Sequence, residues 1–367
     1  MGTSRCLQLI INPGSTSTKL ALYDDGEERC ARSLPFRPAP GMSLADQLPE
    51  RIRCVREFLR DQNVSLRDLD IIMCRGGMVW GIGTGGYRVN DELAAALMNE
   101  EYAAVHASNL GGVIGKTLAD EAGISAYIYD AVTAASLPPF ARITGFPDIV
   151  RNSSCHVLNM RAVALRYARD RGTDLEKLKL LVIHMGGGIS TSAWSGGEIV
   201  DSIGDDDGPF SPERSGFTQI VPIVKMCYSG KYTLAQMMDK MRGSGGLKAY
   251  LGTADAREIE KMIDAGSEKA KLLYHAQAYQ ISKSIGELSI VHKGKTDAIL
   301  LTGGLAYSGR MTDMIADYTG FIAPVVVYPG EFEMQALAEG GLRILRGEEA
   351  AKEFSLQEAR RAIAGVF

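Results

Sequence analysis

Three turns rich in glycine or small hydroxyl residues are candidates for binding phosphate. Each follows an apolar run with the composition of a β-strand, and the turns are residues 12–19 (Asn-Pro-Gly-Ser-Thr-Ser-Thr-Lys), 186–188 (Gly-Gly-Gly) and 303–304 (Gly-Gly). Backbone N–H groups, hydroxyl donors and a lysine can all bind phosphate oxygens. The first turn alone is equally well explained by an ordinary β-hairpin, but three such turns indicate a nucleotide held by backbone groups.

Two arginines in predicted loops and an aspartate at a predicted strand end could act on a transferred phosphoryl group. Arg75 and Arg214 stand beside glycine or serine in predicted loops, and Asp130 ends a predicted strand. Phosphoryl transfer requires cations on the equatorial oxygens and a carboxylate oriented toward Mg²⁺. Taken one at a time, the arginines are better explained as surface charges, Asp130 as a cap, and His156 and His184 as core histidines. Together with the three turns, the same residues favour phosphoryl transfer.

Two short glycine motifs do not fit the nucleotide sites that they resemble. Residues 81–86 (Gly-Ile-Gly-Thr-Gly-Gly) have the spacing of the dinucleotide fingerprint, which needs a preceding strand and a following helix. Residues 87–90 are predicted to be extended, so we interpret residues 81–86 as a flexible loop. Residues 115–117 (Gly-Lys-Thr) match the end of a P-loop, but Leu110 stands where the motif needs glycine and the preceding segment is predicted to be helical.

The composition is typical of a globular protein and excludes several classes of function. The 367 residues are 46% hydrophobic and 23% charged, which suits two domains, and the net charge of -4 argues against bulk binding to nucleic acid or an anionic membrane. No apolar run approaches the ~20 residues of a membrane span, and residues 1–6 lack the features of a signal peptide. Six scattered cysteines favour reduced thiols over disulfides or a zinc site. We therefore expect a cytoplasmic protein.

Hydrophobic periodicity predicts an α/β fold. The strand, turn and strand around residues 7–22 are echoed around residues 180–194, which indicates a duplicated fold with a cleft between the halves. The predicted strands are residues 7–11, 20–23, 29–36, 70–74, 126–129, 180–184, 191–194 and 298–301. The predicted helices are residues 48–62, 91–107, 114–121, 154–169, 334–345 and 356–364, with residues 212–291 mostly helical around an apolar stripe of Ala278, Ile281, Ile285 and Leu288.

Seven segments spread over the chain form a specific combination. They are residues 12–19, 75–77, 129–130, 184–190, 201–214, 301–306 and 329–334. This combination resembles the acetokinase family, most closely its butyrate kinase branch, and the resemblance extends over essentially the whole chain. It implies the actin, Hsp70 and sugar-kinase superfamily, with duplicated ribonuclease-H-like α/β domains and an interdomain ATP cleft. The expected first domain is residues 1–132 plus 335–367, and the second, with a helical insert and the adenosine site, is residues 133–334.

The resemblance assigns roles to individual residues. The implied catalytic residues are Arg75, Asp130 and Arg214. The residues implied to bind ATP or its phosphates are Asn12, Ser15, Ser17, Lys19, His184, Gly186, Gly187, Gly188, Gly303 and Gly304. The implied metal site is Asn12, Asp130 and Glu333, with Glu331 as the alternative to Glu333. The implied acyl pocket includes Gly77, Val105 and His106, and the positions that fall on family histidines are His106, His156 and His184.

Two positions depart from the pattern of the acetate kinases in the family. Gly187 stands where those enzymes have asparagine in the second phosphate turn, and Asn152 stands near the place of a histidine. The resemblance therefore implies that one contact to the γ-phosphate is missing from this chain or passes to Arg151.

The implied activity is that of a carboxylate kinase which uses ATP and Mg²⁺ to make an acyl phosphate reversibly. Butanoate is the expected acid, and a homodimer or higher homo-oligomer is the expected assembly. A carboxylate (pKa ~4–5) is already a nucleophile at neutral pH, so no general base is needed and Asp130 is expected to position Mg²⁺. Arg75 would neutralise the carboxylate and Arg214 the transferring phosphoryl group. Domain closure would exclude water and limit ATP hydrolysis.

Two alternative functions remain open. An acetate, propionate or branched-chain fatty acid kinase would use the same chemistry. An actin- or Hsp70-like ATPase would instead couple ATP to partner binding, although the paired arginines and the lack of a long appended domain argue against it. In either kinase the ligands are a short-chain carboxylate and ATP, without nucleic acid or membrane.

Selectivity for acyl-chain length is expected to depend on Gly77. In acetate kinases the catalytic arginine precedes two valines, the second of which lines the pocket for the acetate methyl group, and Gly77 stands at that position. The missing side chain would leave room for the two extra methylenes of butyrate, worth roughly 1.6 kcal/mol or a factor of ~10. The alternative is that Gly77 serves the backbone of a tight turn and that another side chain, such as Val105, limits the pocket.

Overall fold

Apolar runs form the central strands of a six-stranded sheet in the part of the chain that the computed structural model describes, residues 6–39 and 41–364. Its strands are β1 (Leu7–Pro13), β2 (Ser17–Asp24), β3 (Glu27–Pro35), β4 (Ile71–Arg75), β5 (Gly86–Arg88) and β6 (Ser125–Tyr129). Their order is β3-β2-β1-β4-β6-β5, with β1, β4 and β6 parallel, β2 antiparallel to both β1 and β3, and β5 antiparallel to β6. Leu9, Ile10 and Ile11 are fully buried, as expected of a central strand covered on both faces.

A second sheet repeats this topology. Its strands are β7 (Leu180–Met185), β8 (Ile189–Ser195), β9 (Glu198–Ile203), β10 (Ala298–Gly303) and β11 (Val325–Pro329). Their order is β11-β10-β7-β8-β9, in which β7, β8 and β9 form an antiparallel meander and β7, β10 and β11 are parallel. The order matches that of β6, β4, β1, β2 and β3. The expected duplication within an α/β fold is therefore confirmed, although the sequence analysis predicted neither β9 nor β11.

The chain divides into two compact units that differ slightly from the expected domains. The first unit contains residues 1–135, 139–152 and 332–367, and the second contains residues 136–138 and 153–331. Residues 139–152, which the sequence analysis assigned to the second domain, lie in the first unit, where Arg142 donates a hydrogen bond to the carbonyl of Ala362. Residues 1–5, which carry most of the expectation about a signal peptide, lie outside the described residues, and no described helix is long and apolar enough to cross a bilayer.

The helices of the first unit are α1 (Leu44–Asp61), α2 (Asp91–Leu97), α3 (Asn109–Ala122), α11 (Glu333–Leu345) and α12 (Leu356–Ile363). The prediction of one helix over residues 91–107 is wrong, because the Asn109 amide binds the carbonyl of Leu97 at 2.9 Å and Ala103 forms a bridge with Val79. These contacts end α2 early and turn the chain into α3, which begins at Asn109 rather than at Ile114.

The helices of the second unit are α4 (Val157–Asp170), α5 (Ile220–Cys227), α6 (Leu234–Met241), α7 (Gly246–Leu251), α8 (Ala256–Asp264), α9 (Glu268–Ser289) and α10 (Gly309–Thr319). The mostly helical region expected over residues 212–291 is confirmed. The apolar stripe predicted on α9 is buried and packs with strand residues such as Ile183 and Leu301. This core supports the carboxyl ends of β7 and β10, where two of the glycine turns begin.

Helix α11 packs closely on the first sheet beside the end of β6. A Cβ atom at Gly340 would lie 2.7 Å from the ring of Tyr129. The Tyr129 hydroxyl donates to Glu349 at 2.5 Å and accepts from Arg343 at 2.6 Å, so the ring is held in place. The fit of α11 therefore fixes the residue that immediately precedes Asp130.

We predict opposite effects on stability for two helical glycines. Gly340→Ala should lower the free energy of unfolding by about 1–3 kcal/mol because the added methyl group overlaps a ring that cannot move freely. Gly286→Ala, the matched control in α9, meets open space and should raise stability by about 0.5–1 kcal/mol. Guanidinium unfolding midpoints measure both changes, and equal midpoints for the two variants would contradict the close packing of α11.

Candidate active site

Three of the predicted site residues lie at one edge of the first sheet. Asn12 is near the end of β1, Arg75 ends β4 and Asp130 follows β6. Because β1, β4 and β6 are adjacent and parallel, their carboxyl ends lie at the same edge. The strand pairing thus brings together side chains that are far apart in sequence.

Glu333, the first residue of α11, joins this group. Its Oε2 accepts a hydrogen bond from Asn12 Nδ2 at 2.9 Å and forms an ion pair with Arg75 Nη1 at 3.1 Å. Arg75 Nη1 is also 3.4 Å from Asn12 Oδ1. Glu331 belongs to the second unit and lines a cavity there, so the structure places Glu333 and not Glu331 with Asn12 and Arg75.

Asp130 is buried and held in an unusual backbone conformation. Its φ is 46°, a left-handed value that is uncommon for a residue with a side chain. Its Oδ1 accepts from the Gly85 N–H at 2.7 Å, and its own N–H donates to the Gly85 carbonyl at 3.2 Å. The glycine-rich loop of residues 81–86 therefore positions Asp130, a role that the sequence analysis did not find.

The oxygen donors at this edge suit a hard cation in chemical type. Mg²⁺ prefers carboxylate and carbonyl oxygens and is usually held by one or two protein carboxylates together with substrate phosphates. Asn12, Asp130 and Glu333 supply such oxygens. The described residues contain no cluster of three or more acidic, histidine or cysteine side chains that could hold an ion.

The first candidate phosphate turn connects β1 to β2. The Gly14 N–H donates to the Ser17 carbonyl at 2.8 Å and closes the turn, and Ser15 and Lys19 are exposed. Within the described part of the chain, the N–H groups of Ser15 and Thr16 have no hydrogen-bond acceptor. Such donors can bind an anion.

The structure contradicts the expected role of Gly77. A Cβ atom there would lie 2.5 Å from Asn109 Oδ1 and 2.7 Å from a methyl carbon of Leu97. Asn109 is fixed, because its Oδ1 accepts from the Met78 N–H at 2.8 Å and its Nδ2 donates to the carbonyls of Leu97 and Ala104. The space left by the missing side chain is thus filled by protein and not available to an acyl chain.

The other two residues of the expected acyl pocket lie in the segment between α2 and α3. Val105 is 62% exposed, and His106 places its Nδ1 2.7 Å from the Ser108 hydroxyl. Their place in an acyl pocket stays a prediction.

In the second unit, the triple-glycine turn and Arg214 lie together. The Ser211 hydroxyl and the Glu213 N–H both donate to the Gly187 carbonyl, and the Arg214 N–H donates to Ser211 Oγ at 3.0 Å. A Cβ atom at Gly188 would lie 3.0 Å from Arg214 Nε. The sequence predicted these two features separately, and the structure joins them.

Two acidic residues hold the side chain of Arg214. Its Nη1 lies 2.9 Å from Asp205 Oδ2 and 3.5 Å from Asp206 Oδ1. Asp206 is in turn paired with Arg242. The sequence analysis included Asp205 and Asp206 in a family segment but gave them no role, although the run of three aspartates at 205–207 was a visible signal.

His184 lies near the end of β7 and packs against the triple-glycine turn that follows. It is buried, its ring stacks on that of His156 at 4.0 Å, and its Nδ1 is 3.0 Å from Asn159 Nδ2. A Cβ atom at Gly186 would lie 2.9 Å from His184 Nε2. His156 Nδ1 is 2.9 Å from Ser190 Oγ of β8. Both histidines therefore contact the turn or a strand that flanks it.

A cavity of about 710 Å³ lies beside two of the glycine turns, within the second unit. Its volume is in the range of small-molecule sites. The residues lining it include Gly186, Gly187, Gly304, Tyr307, Ser308, Glu331 and the segment from Ala254 to Arg257. The sequence analysis missed this last segment, in which Asp255 caps α8 and the hydrogen bond from Arg257 lowers the pKa of Asp255 to about 2.

Comparison with known proteins identifies the family. The Acetokinase family model matches residues 147–315. A probable butyrate kinase 2 from Caldanaerobacter subterraneus is 46% identical over 349 residues, covering 94% of this chain and 98% of that protein. The chain belongs to the acetokinase family. Butyrate kinase 2 from Clostridium acetobutylicum is 42% identical over 355 residues, with 94% and 98% covered.

Solved structures support the same fold. The acetate kinase of Porphyromonas gingivalis aligns with a TM-score of 0.75 at 18% identity, covering 93% of this chain and 100% of that one. A propionate kinase from Francisella tularensis aligns with a TM-score of 0.72 at 16% identity, covering 91% and 98%. At these identities the likeness concerns the fold, the actin-like ATPase fold of two α/β domains.

The residues expected to replace a histidine of the acetokinase family lie in the first unit. Arg151 Nη1 donates to the Ala141 carbonyl at 2.8 Å, and Asn152 Oδ1 is 3.4 Å from Arg142 Nη2. A contact from Arg151 to a γ-phosphate stays a prediction.

The packing of Gly77 changes what its substitution should do. We predict that Gly77→Ala lowers kcat/KM by a similar factor for acetate, propionate and butanoate, and lowers the free energy of unfolding by about 1–3 kcal/mol, because the methyl group would displace Asn109. Kinetics with the three acids and an unfolding curve measure this. A selective loss with butanoate at unchanged stability would restore the acyl-pocket role.

Proposed function

We propose that this member of the acetokinase family transfers the γ-phosphoryl group of ATP to butanoate, giving butanoyl phosphate and ADP, and that the reaction is reversible. The relatives named butyrate kinases match nearly the whole chain at 42–46% identity. The observation that supports this chemistry is the way in which two arginine side chains are anchored. Arg75 and Arg214 are each anchored through Nη1 to an acidic side chain.

The anchoring leaves a pair of donors on each arginine. Within the described residues, Nε and Nη2 of Arg75 and of Arg214 have no hydrogen-bond acceptor. Two parallel N–H groups of a guanidinium match the two oxygens of a carboxylate or a phosphoryl group. Two such forks suit a reaction that joins two anions.

We assign the nucleotide to the second unit. The cavity beside Gly187 and Gly304 would hold the adenosine part of ATP, and the triple-glycine turn its phosphates. Arg214 lies against that turn and would stabilise the charge that develops on the transferring phosphoryl group. His184 would keep the turn in position.

We assign the carboxylate and the metal to the edge formed by β1, β4 and β6. Arg75 would bind the butanoate carboxylate, which is ionised at neutral pH and attacks without a general base. Asp130 and Glu333, with Asn12, would hold Mg²⁺, which neutralises phosphate charge when it is bound. Ser15, Ser17 and Lys19 would contact phosphate at the first turn.

An exposed apolar surface supports self-association. Phe217, Ile220, Val221 and Tyr228 on and beside α5 are 64–89% exposed, and monomeric proteins rarely expose such groups together. We propose a homodimer or higher homo-oligomer in the cytoplasm, and the mass in solution by light scattering measures the assembly.

A panel of acids tests the proposed function. Straight acids from acetate to hexanoate, with branched members, are incubated with MgATP, and the acyl phosphate is trapped with hydroxylamine. We expect the highest kcat/KM with butanoate. A higher value with acetate, propionate or a branched acid would identify a different carboxylate kinase, and ADP formation that no acid stimulates would favour an actin- or Hsp70-like ATPase.

Arg214 should be needed for turnover more than for binding. We predict that Arg214→Ala lowers kcat by ~10³-fold, on the scale of arginine fingers, because the lost charge acts mainly in the transition state. The KM for ATP should change far less. Arg169→Ala, an exposed arginine on α4, serves as the control. Near-normal turnover in a folded Arg214→Ala variant would contradict the assignment.

A further inference from the structure

A buried arginine lies directly behind the first phosphate turn. Arg51 of α1 is 0% exposed. Its Nη2 donates to the Gly14 carbonyl at 2.9 Å, and its Nη1 donates to the Ser17 carbonyl at 3.2 Å and to Thr18 Oγ1 at 2.7 Å. The guanidinium therefore joins both ends of the turn.

No carboxylate neutralises this charge within the described residues. The other hydrogen bonds of the guanidinium go to Gln47 Oε1, from Nε at 3.3 Å and Nη2 at 3.1 Å. The ring of Phe36 lies 4.0 Å from Cζ, a cation–π contact. Burying a charge without a counter-ion is costly, and burial lowers the pKa of Arg51, although an arginine stays protonated. A neutral side chain would fix the turn without this cost.

The hydrogen bonds determine which backbone groups of the first turn face the protein. Arg51 binds the carbonyls of Gly14 and Ser17, and the Phe36 N–H binds the Thr16 carbonyl at 2.8 Å. These acceptors are turned toward the protein. The N–H groups of Ser15 and Thr16 have no acceptor in the described chain, so the turn offers donors with a positive charge behind them.

We propose that Arg51 is a positioning residue for phosphate binding: it fixes the carbonyls of the first turn, and its unneutralised charge strengthens the binding of the polyphosphate of ATP. The proposal rests on the proposed function, because it assumes that the first turn contacts ATP. If Arg51 had only a structural role, it would join α1 to the hairpin equally well. Its removal would then change the affinity for ATP and the affinity for AMP to the same extent.

Three substitutions separate the effect of the Arg51 charge from its structural role. Gln47→Glu keeps an acceptor beside Arg51 and supplies the missing counter-ion, so it should weaken MgATP binding about three- to tenfold without lowering the melting temperature. Arg51→Met should weaken it ~10-fold or more, and Arg51→Lys, which retains the charge without the fork, should fall between Arg51→Met and the unaltered protein. Binding of AMP, which carries one phosphate, should change little in each variant. Calorimetric titration of the full chain measures these affinities.

Arg53→Met is the matched control. Arg53 lies on the same helix but is exposed and paired with Glu50 and Glu57, so its loss should leave MgATP binding unchanged. MgATP binding at the normal affinity by Gln47→Glu, or by a folded Arg51→Met, would overturn the proposal. If Arg51→Met fails to fold, Gln47→Glu alone decides. Failure of the unaltered protein to bind ATP would instead refute the proposed function.

Discussion

Residues Gln8–Ile11 of β1 pair in parallel with Ile71–Cys74 of β4, and Ala298–Thr302 of β10 pair in the same way with Leu180–His184 of β7. Parallel strands end at the same edge of a sheet, so this pairing determines which turns become neighbours. In the first unit it places Arg75 beside Asn12. In the second it places Gly303 against Met185, which precedes the triple-glycine turn, and a Cβ atom at Gly303 would lie 2.5 Å from the Met185 carbonyl. The proposed chemistry depends on this register, since a shift would separate the turns.

The three arginines to which we assign roles are held in two different ways. Arg75 and Arg214 are partly exposed and are each oriented by a carboxylate, so their charge is locally balanced and their remaining donors are free of other acceptors in the described chain. Arg51 is buried without a carboxylate and is oriented by carbonyls and an amide. The first arrangement suits groups that must contact a substrate directly, because the carboxylate orients each arginine and leaves its other N–H donors available. The second suits a charge that acts through a turn.

Periodicity predicted most of the fold because the central strands are continuous apolar runs and α9 carries a regular stripe. Periodicity failed where contacts between residues distant in sequence determine the structure. The end of α2 depends on Asn109, which follows it by twelve positions. The site residues at strand ends could be predicted from turn composition and family resemblance. Asp205 and Asp206 were visible as a run but received no role, because their pairing with Arg214 depends on how the loop between them folds. Asp255 was missed although its partner Arg257 is only two positions along the chain.

The glycines show why composition identifies a turn but not the function of each residue in it. Gly304 faces open space and lines the cavity, so its lack of a side chain leaves room for a ligand. Gly303, with φ of +91° and the Met185 backbone beside it, is required by conformation and packing. Gly77 is required because Asn109 fills the adjacent space. The sequence shows only that all three residues are glycines. The atoms around the position of the missing Cβ show that their functions differ. The missing side chain of Gly77 therefore does not by itself open space for an acyl chain.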